Sequence, residues 1–246
     1  MTDDKHVLEV MRRHRSVRAF TPEPVPNEVI ERAVEAAQCA ATSSWIQGYH
    51  LLQVTERPHL QRLAELAGGQ PQVETAGAFF VVAGDTRRHR LVAERAGSSY
   101  ENSTELFLLA TVDASLFAQN LTLAFEALGY GTCYVGGLRN DLPAVDDLLS
   151  LPSGVYPLFG LCVGVPANDP GTRPRMAARA VWSRGRYPTD GEVLEQVEAF
   201  DAVAARYYTA RGAAGRNWSG GVWRKFARAL RPGLRRFYES KGASFD

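Results

Sequence analysis

The sequence predicts a three-layer α/β or α+β domain that is followed by a helical extension. Short segments rich in Val, Leu and Phe alternate with helix-forming segments up to about residue 165, which is typical of a sheet covered by helices. Residues 106–128 are apolar on nearly every face of a helix, so they predict a central helix that is buried all round. Beyond Pro166 the chain turns to Pro, Arg and Asn and then to helices that need a surface to pack on.

The first two predicted helices are separated by a proline-rich segment. The first begins near Asp3 and continues through His14, with its apolar residues on one stripe. Three prolines in residues 21–26 then exclude a helix, because each removes a backbone donor and biases its predecessor towards extended geometry. Asn27 is predicted to cap the second helix, and the polar residues 42–44 are predicted to end it.

The remaining elements follow from runs of β-branched and aromatic residues and from helical periodicity. No internal repeat interrupts them. The predicted strands are residues 51–55, 78–83, 131–135 and 156–164, and the further helices are residues 58–66, 106–128, 142–149, 192–208 and 222–230.

Composition favours one cytoplasmic globular domain. The chain has 246 residues, 45% of them hydrophobic, and a net charge of +1. Its cysteines (Cys39, Cys133 and Cys162) form no CxxC pair, which favours reduced thiols over disulfides or a zinc site. The N-terminus lacks the apolar segment of a signal peptide, and the carboxylates of Asp113 and Glu126 argue against a membrane span at residues 106–128.

The C-terminal segment is strongly basic. Between Arg206 and Asp246 there are ten Lys/Arg and two Asp/Glu, a balance of +8, so the preceding residues carry −7. A basic segment is typical of binding to nucleic acid, a membrane surface or an anionic cofactor, and it also occurs as a solvated helix face. The net acidic remainder disfavours nucleic acid.

Two motifs in the first half of the chain carry groups suited to a polar, anionic ligand. His14-Arg15-Ser16-Val17-Arg18 supplies two guanidinium groups and a hydroxyl, which suits a phosphate. Basic clusters at helix ends are also explained by the helix dipole alone. Thr42-Ser43-Ser44-Trp45 could hydrogen-bond a ligand and stack on it, or it could simply end a helix.

Two further motifs follow predicted strands. Gly136-Gly137 lets backbone amides approach a ligand closely, although a tight turn would need the same residues. In Arg173-Pro174-Arg175 the proline stiffens the link between two guanidinium groups, which indicates anion capture. The chain has no GxGxxG motif after its first strand, no P-loop, and no Ser/His/Asp or Cys/His arrangement.

In this order the motifs resemble the nitroreductase superfamily, and most closely its NADPH-dependent subgroup of oxygen-insensitive nitroreductases and flavin reductases. The resemblance extends over nearly the whole chain. It is carried by HRSVRAF from His14, the Ser43-Ser44-Trp45-x-Gln47 turn, Gly68-Gly69-Gln70, GYGTCYVGGLRND from Gly129, YPLFGLCVG from Tyr156, Arg173-Pro174-Arg175, and the Tyr207-Tyr208-x-x-Arg211-Gly212 segment.

The resemblance implies an α+β, three-layer α/β/α fold with a central mixed, mainly antiparallel sheet. It implies one domain, in which residues 1–165 form a flavin-binding core. Residues 166–246 would form a helical extension that wraps the partner subunit of a homodimer and contains a mobile basic segment for NADPH.

The resemblance also implies the ligands and the reaction. FMN would be bound, NADPH would donate hydride in a ping-pong mechanism, and a nitroaromatic, a quinone or a similar small acceptor would take two electrons. The flavin N5 would carry the chemistry, so no side chain is expected to act as general acid or base.

The implied roles of individual residues fall into four groups. The FMN phosphate and ribityl chain would be held by His14, Arg15, Ser16, Arg18, Arg173 and Arg175. The isoalloxazine would be contacted by Gln70, Tyr134, Val135, Gly136 and Gly137, and by Thr42, Ser43 and Ser44 of the other subunit. Trp45 and Arg231 would line the substrate pocket. Arg211 and Arg216 would contact the 2′-phosphate of NADPH, because guanidinium groups pair well with phosphate.

Two alternatives remain open at this stage. The chain could be an NADPH:flavin oxidoreductase that supplies reduced flavin to a monooxygenase, since the same site would serve both reactions. Outside the enzymes, it could be a flavin-binding or nucleic-acid-binding module that uses its basic C-terminal segment.

Overall fold

The structure is a computed structural model that describes residues 4–246. The chain forms two compact units, one made of Met1–Pro170 with Arg231–Asp246 and the other of Gly171–Leu230. The predicted division near residue 165 stays a prediction, but the C-terminal segment from Arg231 belongs with the first unit rather than with the extension.

The secondary structure follows the predicted order. The strands, all in the first unit, are β1 (Tyr49–Val54), β2 (Ala78–Asp85), β3 (Gly131–Val135) and β4 (Val155–Gly164). The first unit also contains helices α1 (Asp4–Arg13), α2 (Asn27–Ala37), α3 (Arg57–Leu66), α4 (Gln72–Thr75), α5 (Arg87–Arg95), α6 (Thr104–Ala127), α7 (Leu142–Leu149) and α10 (Leu234–Ser240). The second unit contains α8 (Asp190–Ala210) and α9 (Trp218–Phe226).

The sheet confirms the predicted fold class. Its strand order is β1-β2-β4-β3, and each of these neighbours pairs antiparallel. The predicted sheet was mixed, and parallel pairing is present in it as an isolated bridge between Ser16 and Thr132, at the outer edge of β3.

Helices cover both faces of the sheet. Alternate side chains of a strand point to opposite faces, so Phe80 and Val82 of β2 pack in one cluster while Phe79 and Val81 pack in another. The first cluster contains buried residues of α2 and α6, and the second contains residues of α3 and α7. The predicted three layers are therefore present in the first unit.

Helix α6 differs from its prediction of burial on every side. Phe117, Leu121 and Phe125 lie in the core, but Leu108, Val112 and Leu116 follow one another at four-residue spacing and are 43–52% exposed. The reason is that the sheet and α2 cover only part of the helix. By length and composition α6 could also cross a membrane, yet its buried face belongs to the core of the first unit.

Several helix ends differ from the predicted ones, because the capping residue sets where a helix begins. Pro26, in extended geometry, occupies the N-cap of α2, so the prediction that Asn27 is the cap is wrong. Asn217 caps α9 through its side chain, which starts the helix at Trp218 rather than at 222. Thr189 and Glu192 form a capping box that starts α8 at Asp190. The predicted start of the first helix near Asp3 lies outside the described residues.

Candidate functional site

The basic motif at the end of α1 lies beside β3. The backbone N–H of Val17 donates to Thr132 O at 2.9 Å, and Ser16 forms the parallel bridge with Thr132. Four residues on, Thr21 N donates to Val165 O at 2.9 Å, just after β4. The residues predicted to hold a phosphate are thereby fixed along the same sheet edge that leads into the Gly136-Gly137 turn.

His14 is held by a carboxylate that the motif analysis did not identify. Its Nδ1 lies 2.7 Å from Oε1 of Glu126, near the end of α6, and the hydroxyl of Thr132 donates to the same oxygen at 3.1 Å. A carboxylate on one ring nitrogen fixes the orientation of an imidazole. The other oxygen, Oε2 of Glu126, is buried without a hydrogen-bond partner.

The two arginines of the motif differ in their contacts. Arg15 Nε donates to Asp169 Oδ1 at 2.6 Å, and its Nη1 donates to Arg13 O at 3.1 Å. Arg18 makes a longer contact, 3.4 Å, from Nη1 to Ser16 O. Arg15 is therefore held in a fixed position, whereas Arg18 keeps most of its donors for a ligand.

The Gly136-Gly137 turn is packed against the segment that carries Gln70. A Cβ added at Gly137 would lie 2.3 Å from Ala67 O and 2.5 Å from Gln70 Nε2, so only glycine permits this approach. Gln70 Nε2 donates to Ala67 O, and its Oε1 accepts from Gln72 Nε2, both at 2.8 Å. Two of the predicted flavin-contacting pieces are thus brought into direct contact.

Tyr134 and Val135 direct their side chains into the protein interior. The hydroxyl of Thr122 donates to the Tyr134 hydroxyl at 3.0 Å, and the Tyr134 ring packs edge-on against Phe159. Burial raises the pKa of Tyr134, and Val135 is fully buried. Any contact of these two residues with a flavin would therefore be made by the backbone.

The Thr42–Trp45 segment lies at the other end of the sheet. It leads into β1, whereas the phosphate motif borders β3, and β1 and β3 are the two edge strands. Three strand spacings of about 4.8 Å separate those edges. A single chain therefore does not bring Thr42, Ser43 and Ser44 to the residues around Gly137.

This segment nevertheless forms a turn that a buried carboxylate holds in place. Ser44, Trp45 and Gln47 have positive φ values of 46°, 60° and 51°, which non-glycine residues rarely adopt. Both carboxylate oxygens of Asp113 on α6 hold the turn, accepting from Ser43 N and Gly48 N at 3.0 Å each. Strained turns of this kind persist where surrounding contacts enforce them, often at functional sites. Trp45 itself is 83% exposed.

The remaining predicted arginines of the extension lie in the second unit. Arg173 and Arg175 line a cavity of about 300 Å³ with Tyr207 and Tyr208. Arg211 lies over the ring of Tyr207, with 5.4 Å between its Cζ and the ring centre.

A second cavity of this unit, about 460 Å³, contains the other predicted NADPH contact. Arg216 and Arg224 both line it, together with Tyr208 and Asn217. Asn217 caps α9 at this cavity, so two guanidinium groups and the start of α9 line the same space. Arg231, in contrast, lies in the first unit beside Arg139.

The residues of the first unit fit FMN. The glycine turn is held against Gln70, Arg18 offers guanidinium donors, and the buried Oε2 of Glu126 offers an acceptor that a ribityl hydroxyl would satisfy. In the described part of the chain no group of three or more His, Cys, Asp or Glu residues is arranged for a metal. Together, guanidinium donors and a carboxylate acceptor suit an organic phosphate ligand that carries hydroxyl groups.

Two models of one protein family match this chain. The model of the "Nitroreductase family" matches residues 11–165, and that of the "Nitroreductase family, C-terminal domain" matches residues 173–246. This chain belongs to the nitroreductase family.

Individual family members are similar over almost their full length. The "FMN reductase (NADPH)" of Bacillus subtilis (strain 168) is 37% identical over 243 residues, covering 96% of this chain and 98% of the relative. The solved structure of the NfrA1 nitroreductase from B. subtilis is 36% identical with a TM-score of 0.93, covering 96% and 98%. The NADPH:FMN oxidoreductase from Vibrio harveyi complexed with NAD+ is 34% identical with a TM-score of 0.89, covering 98% and 100%.

Sequence reasoning gave no binding-site role to four polar residues that contact or adjoin the predicted site residues: Asp113, Glu126, Arg139 and Asp169. Two of them carried a usable signal, because Asp113 and Glu126 are buried or nearly buried carboxylates in an otherwise apolar helix. Such carboxylates are kept when they are hydrogen-bonded, so both were candidates for holding the loops that carry ligand-binding residues.

Proposed function

We propose that this chain is an FMN-dependent reductase that oxidises NADPH and passes two electrons, by a ping-pong mechanism, to nitroaromatic, quinone or similar acceptors. The observation that carries the proposal is the joining of three predicted flavin-binding pieces along β3: the His14–Arg18 motif, Gln70 and the Gly136-Gly137 turn. The names of similar family members, an FMN reductase (NADPH) and an NADPH:FMN oxidoreductase, support the same cofactor and donor.

In this proposal the protein binds FMN and orients the electron donor and acceptor, and FMN supplies the redox chemistry. His14, Ser16 and Arg18 would hold the phosphate and ribityl chain, with Arg15 fixed beside them by Asp169. The backbone of Gly136 and Gly137 would support the ring system, and Gln70 would place its remaining amide hydrogen at the polar edge of the ring. A phosphate contact by Arg173 and Arg175, which belong to the second unit, stays a prediction.

The choice of NADPH is assigned to the second unit. Arg211 and Arg216 would bind the 2′-phosphate, and this is supported by the position of Arg216 on a cavity at the start of α9. In Arg216→Ala and Arg211→Ala variants, kcat/KM for NADPH should fall about 10-fold to 100-fold, the size of a charge-assisted hydrogen bond, while NADH is barely affected. Arg206→Ala, which removes the same charge from an exposed position of α8, is the matched control. Equal losses of kcat/KM for NADPH and NADH would exclude recognition of the 2′-phosphate by these arginines.

A homodimer is the proposed assembly. Its support is an exposed apolar surface on two neighbouring helices, formed by Val7, Leu8 and Met11 of α1 and by Leu108, Val112 and Leu116 of α6. A partner would also supply Thr42–Trp45, which a single chain leaves far from Gly137.

Val112→Glu should yield a monomer that binds FMN weakly, whereas Val92→Glu, at an exposed apolar position of α5, should leave the dimer intact. Sedimentation velocity with FMN titration decides this.

The production of reduced flavin for a monooxygenase is a second candidate, favoured by the names of the two FMN-reducing family members. Steady-state competition separates the two functions. If free FMN is reduced far faster than nitrofurazone or menadione, flavin supply is the better description. A purified protein that is colourless and takes up no FMN would exclude both. A cytoplasmic location, consistent with three free cysteines, stays a prediction.

A further inference from the structure

The segment that is predicted to bind the 2′-phosphate of NADPH is a short loop between two helices of the second unit. Residues 211–216 connect the end of α8 to Asn217, the cap of α9, and they include the predicted contact Arg216. Gly212 and Gly215 in this loop have φ of 72° and 79°, and glycine loses much conformational freedom when it is fixed. The loop therefore places its arginine reproducibly only if its ends are held.

Asp201 of α8 holds the far end of this loop. Its Oδ2 accepts from Asn217 Nδ2 at 3.2 Å and from the hydroxyl of Ser219, and its Oδ1 accepts from Ser219 N at 2.8 Å. Both carboxylate oxygens are thus bound to residues that follow Arg216. Burial raises the pKa of Asp201, but hydrogen bonds from Ser219 and Trp218 lower it by more, so the pKa lies below its usual value and the carboxylate is charged at neutral pH.

The same contacts connect Asp201 to the cavity of about 460 Å³ that Arg216 and Arg224 line. Asn217 lines this cavity too. Its Oδ1 accepts from Gly220 N at 3.1 Å, while its amide nitrogen donates to Asp201. One side chain therefore joins α8, α9 and the wall of the cavity. A shift of Asn217 would move Arg216, its neighbour in the chain, relative to Arg224.

A carboxylate is an unexpected neighbour for a site that binds phosphate. Residues 202–238 contain nine Lys/Arg and no Asp/Glu, so Asp201 is the last acidic residue before a stretch whose charged residues are all basic. Its negative charge by itself would repel a phosphate at Arg216. A positioning role and a purely electrostatic role of Asp201 therefore predict opposite effects on phosphate binding when the charge is removed.

We propose that Asp201 is a positioning residue for NADPH specificity, because by fixing Asn217 and Ser219 it holds Arg216 where the 2′-phosphate binds. The effect on turnover rests on the proposed function, in which NADPH is the electron donor. Binding of a 2′-phosphate can be measured without turnover. The two claims are therefore tested separately.

Turnover is tested with NADPH and NADH, which differ only in the 2′-phosphate. In FMN-saturated enzyme, Asp201→Asn should lower the ratio of kcat/KM for NADPH to kcat/KM for NADH about 5-fold to 10-fold, through a higher KM for NADPH. A merely structural fault would lower both values and leave the ratio unchanged. Glu198→Gln removes the same charge from an exposed position about one turn earlier on α8, and it should match wild type. An unchanged or increased ratio in Asp201→Asn would overturn the positioning role.

A double variant shows whether Asp201 acts through Arg216. In an Arg216→Ala background, Asp201→Asn should change the ratio by less than about 2-fold, because the contact that Asp201 positions is already lost. Full additivity of the two substitutions would contradict the proposal. Ser219→Ala removes one contact of Asp201 without changing any charge, and it should lower the ratio about 3-fold. This variant decides the matter if Asp201→Asn folds poorly, and an unchanged ratio in it would count against the proposal.

Binding is tested without turnover by calorimetric titration of the holoenzyme. Adenosine 2′,5′-bisphosphate carries the 2′-phosphate, and adenosine 5′-monophosphate lacks it. In Asp201→Asn the dissociation constant of the bisphosphate should rise about 5-fold to 10-fold, and that of the monophosphate by less than about 2-fold. Equal changes for both ligands, or no binding of the bisphosphate to wild type, would refute the role of Asp201. A protein that shows the expected difference but oxidises no NADPH would contradict the proposed function and retain that role.

Discussion

Glu126 and His14, 112 positions apart in sequence, are joined by a 2.7 Å contact between Oε1 and Nδ1. The contact links the end of the central helix α6 to the motif that is predicted to hold the FMN phosphate. Because the carboxylate occupies Nδ1, Nε2 is the ring nitrogen of His14 that a ligand would contact. The affinity for FMN should therefore depend on Glu126, although Glu126 need not touch the phosphate.

We expect Glu126→Gln to weaken FMN binding about 5-fold to 10-fold, the loss of about 1 kcal/mol when a charged hydrogen bond becomes a neutral one. The dissociation constant is measured from the quenching of flavin fluorescence on titration of the apoprotein. Glu105→Gln, at an exposed position of the same helix, is the control and should match wild type. An unchanged affinity in Glu126→Gln would show that His14 does not need this anchor.

Asp113 should be essential for the Ser43–Gly48 turn. It is 1% exposed and accepts hydrogen bonds from the backbone N–H groups of Ser43 and Gly48. In Asp113→Asn, the amide NH2 would face one of these N–H groups, and both are donors. We expect the free energy of unfolding to fall by about 1–3 kcal/mol, the cost of an unsatisfied buried group. Urea denaturation measures it. Ser115→Ala, exposed on the same helix, should change stability by less than about 0.5 kcal/mol, and a similarly small effect of Asp113→Asn would refute this role.

Gly137 should tolerate no side chain. In Gly137→Ala the new Cβ would meet Ala67 O at 2.3 Å, a backbone atom that can move only with the Gln70 segment. We expect a loss of about 1–3 kcal/mol in stability from this overpacking, together with weaker FMN binding. Gly191→Ala is the control, because nothing lies within 4 Å of its Cβ position in α8. Equal melting temperatures for the two variants would contradict the close approach.

The three cysteines should differ in reactivity. Cys39 is exposed, whereas Cys133 and Cys162 are buried opposite each other on β3 and β4. Burial raises the pKa of both buried thiols, so little thiolate forms. Titration with a chromogenic disulfide reagent at pH 8 should detect one fast thiol in the native protein and three in guanidinium chloride. Cys39→Ser should remove the fast phase, and its survival would mean that a buried thiol is accessible.

Stability should decrease in alkaline solution. Burial raises the pKa of Cys133 and Cys162 above 9.0, and that of Tyr238 to about 12. In the unfolded chain these groups ionise at lower pH than in the folded chain. Their contribution to stability is complete below the unfolded values and is lost as the pH rises through the folded ones. The melting temperature should fall between about pH 8.5 and pH 11, and a constant value across that range would refute the sign.

Local sequence determined most of the secondary structure. The residues of β3 and α7 coincide with their predicted ranges, because hydrophobic periodicity and the flanking Gly and Pro define those elements without distant contacts. The ends of α2, α8 and α9 were less predictable, since they depend on which neighbouring residue supplies the cap. The order of the ligand-binding motifs along the chain was also readable from sequence alone.

Only the tertiary structure decided which of these motifs meet. The strand order β1-β2-β4-β3 places the His14 motif beside Gly136-Gly137 and leaves the Thr42 turn at the opposite edge. It also brought Asp113 to Ser43 across 70 positions and Arg139 beside Arg231. Periodicity reports which face of an element is apolar. It contains no information on which distant element covers that face, because that choice is made by packing and by satisfying the buried polar groups.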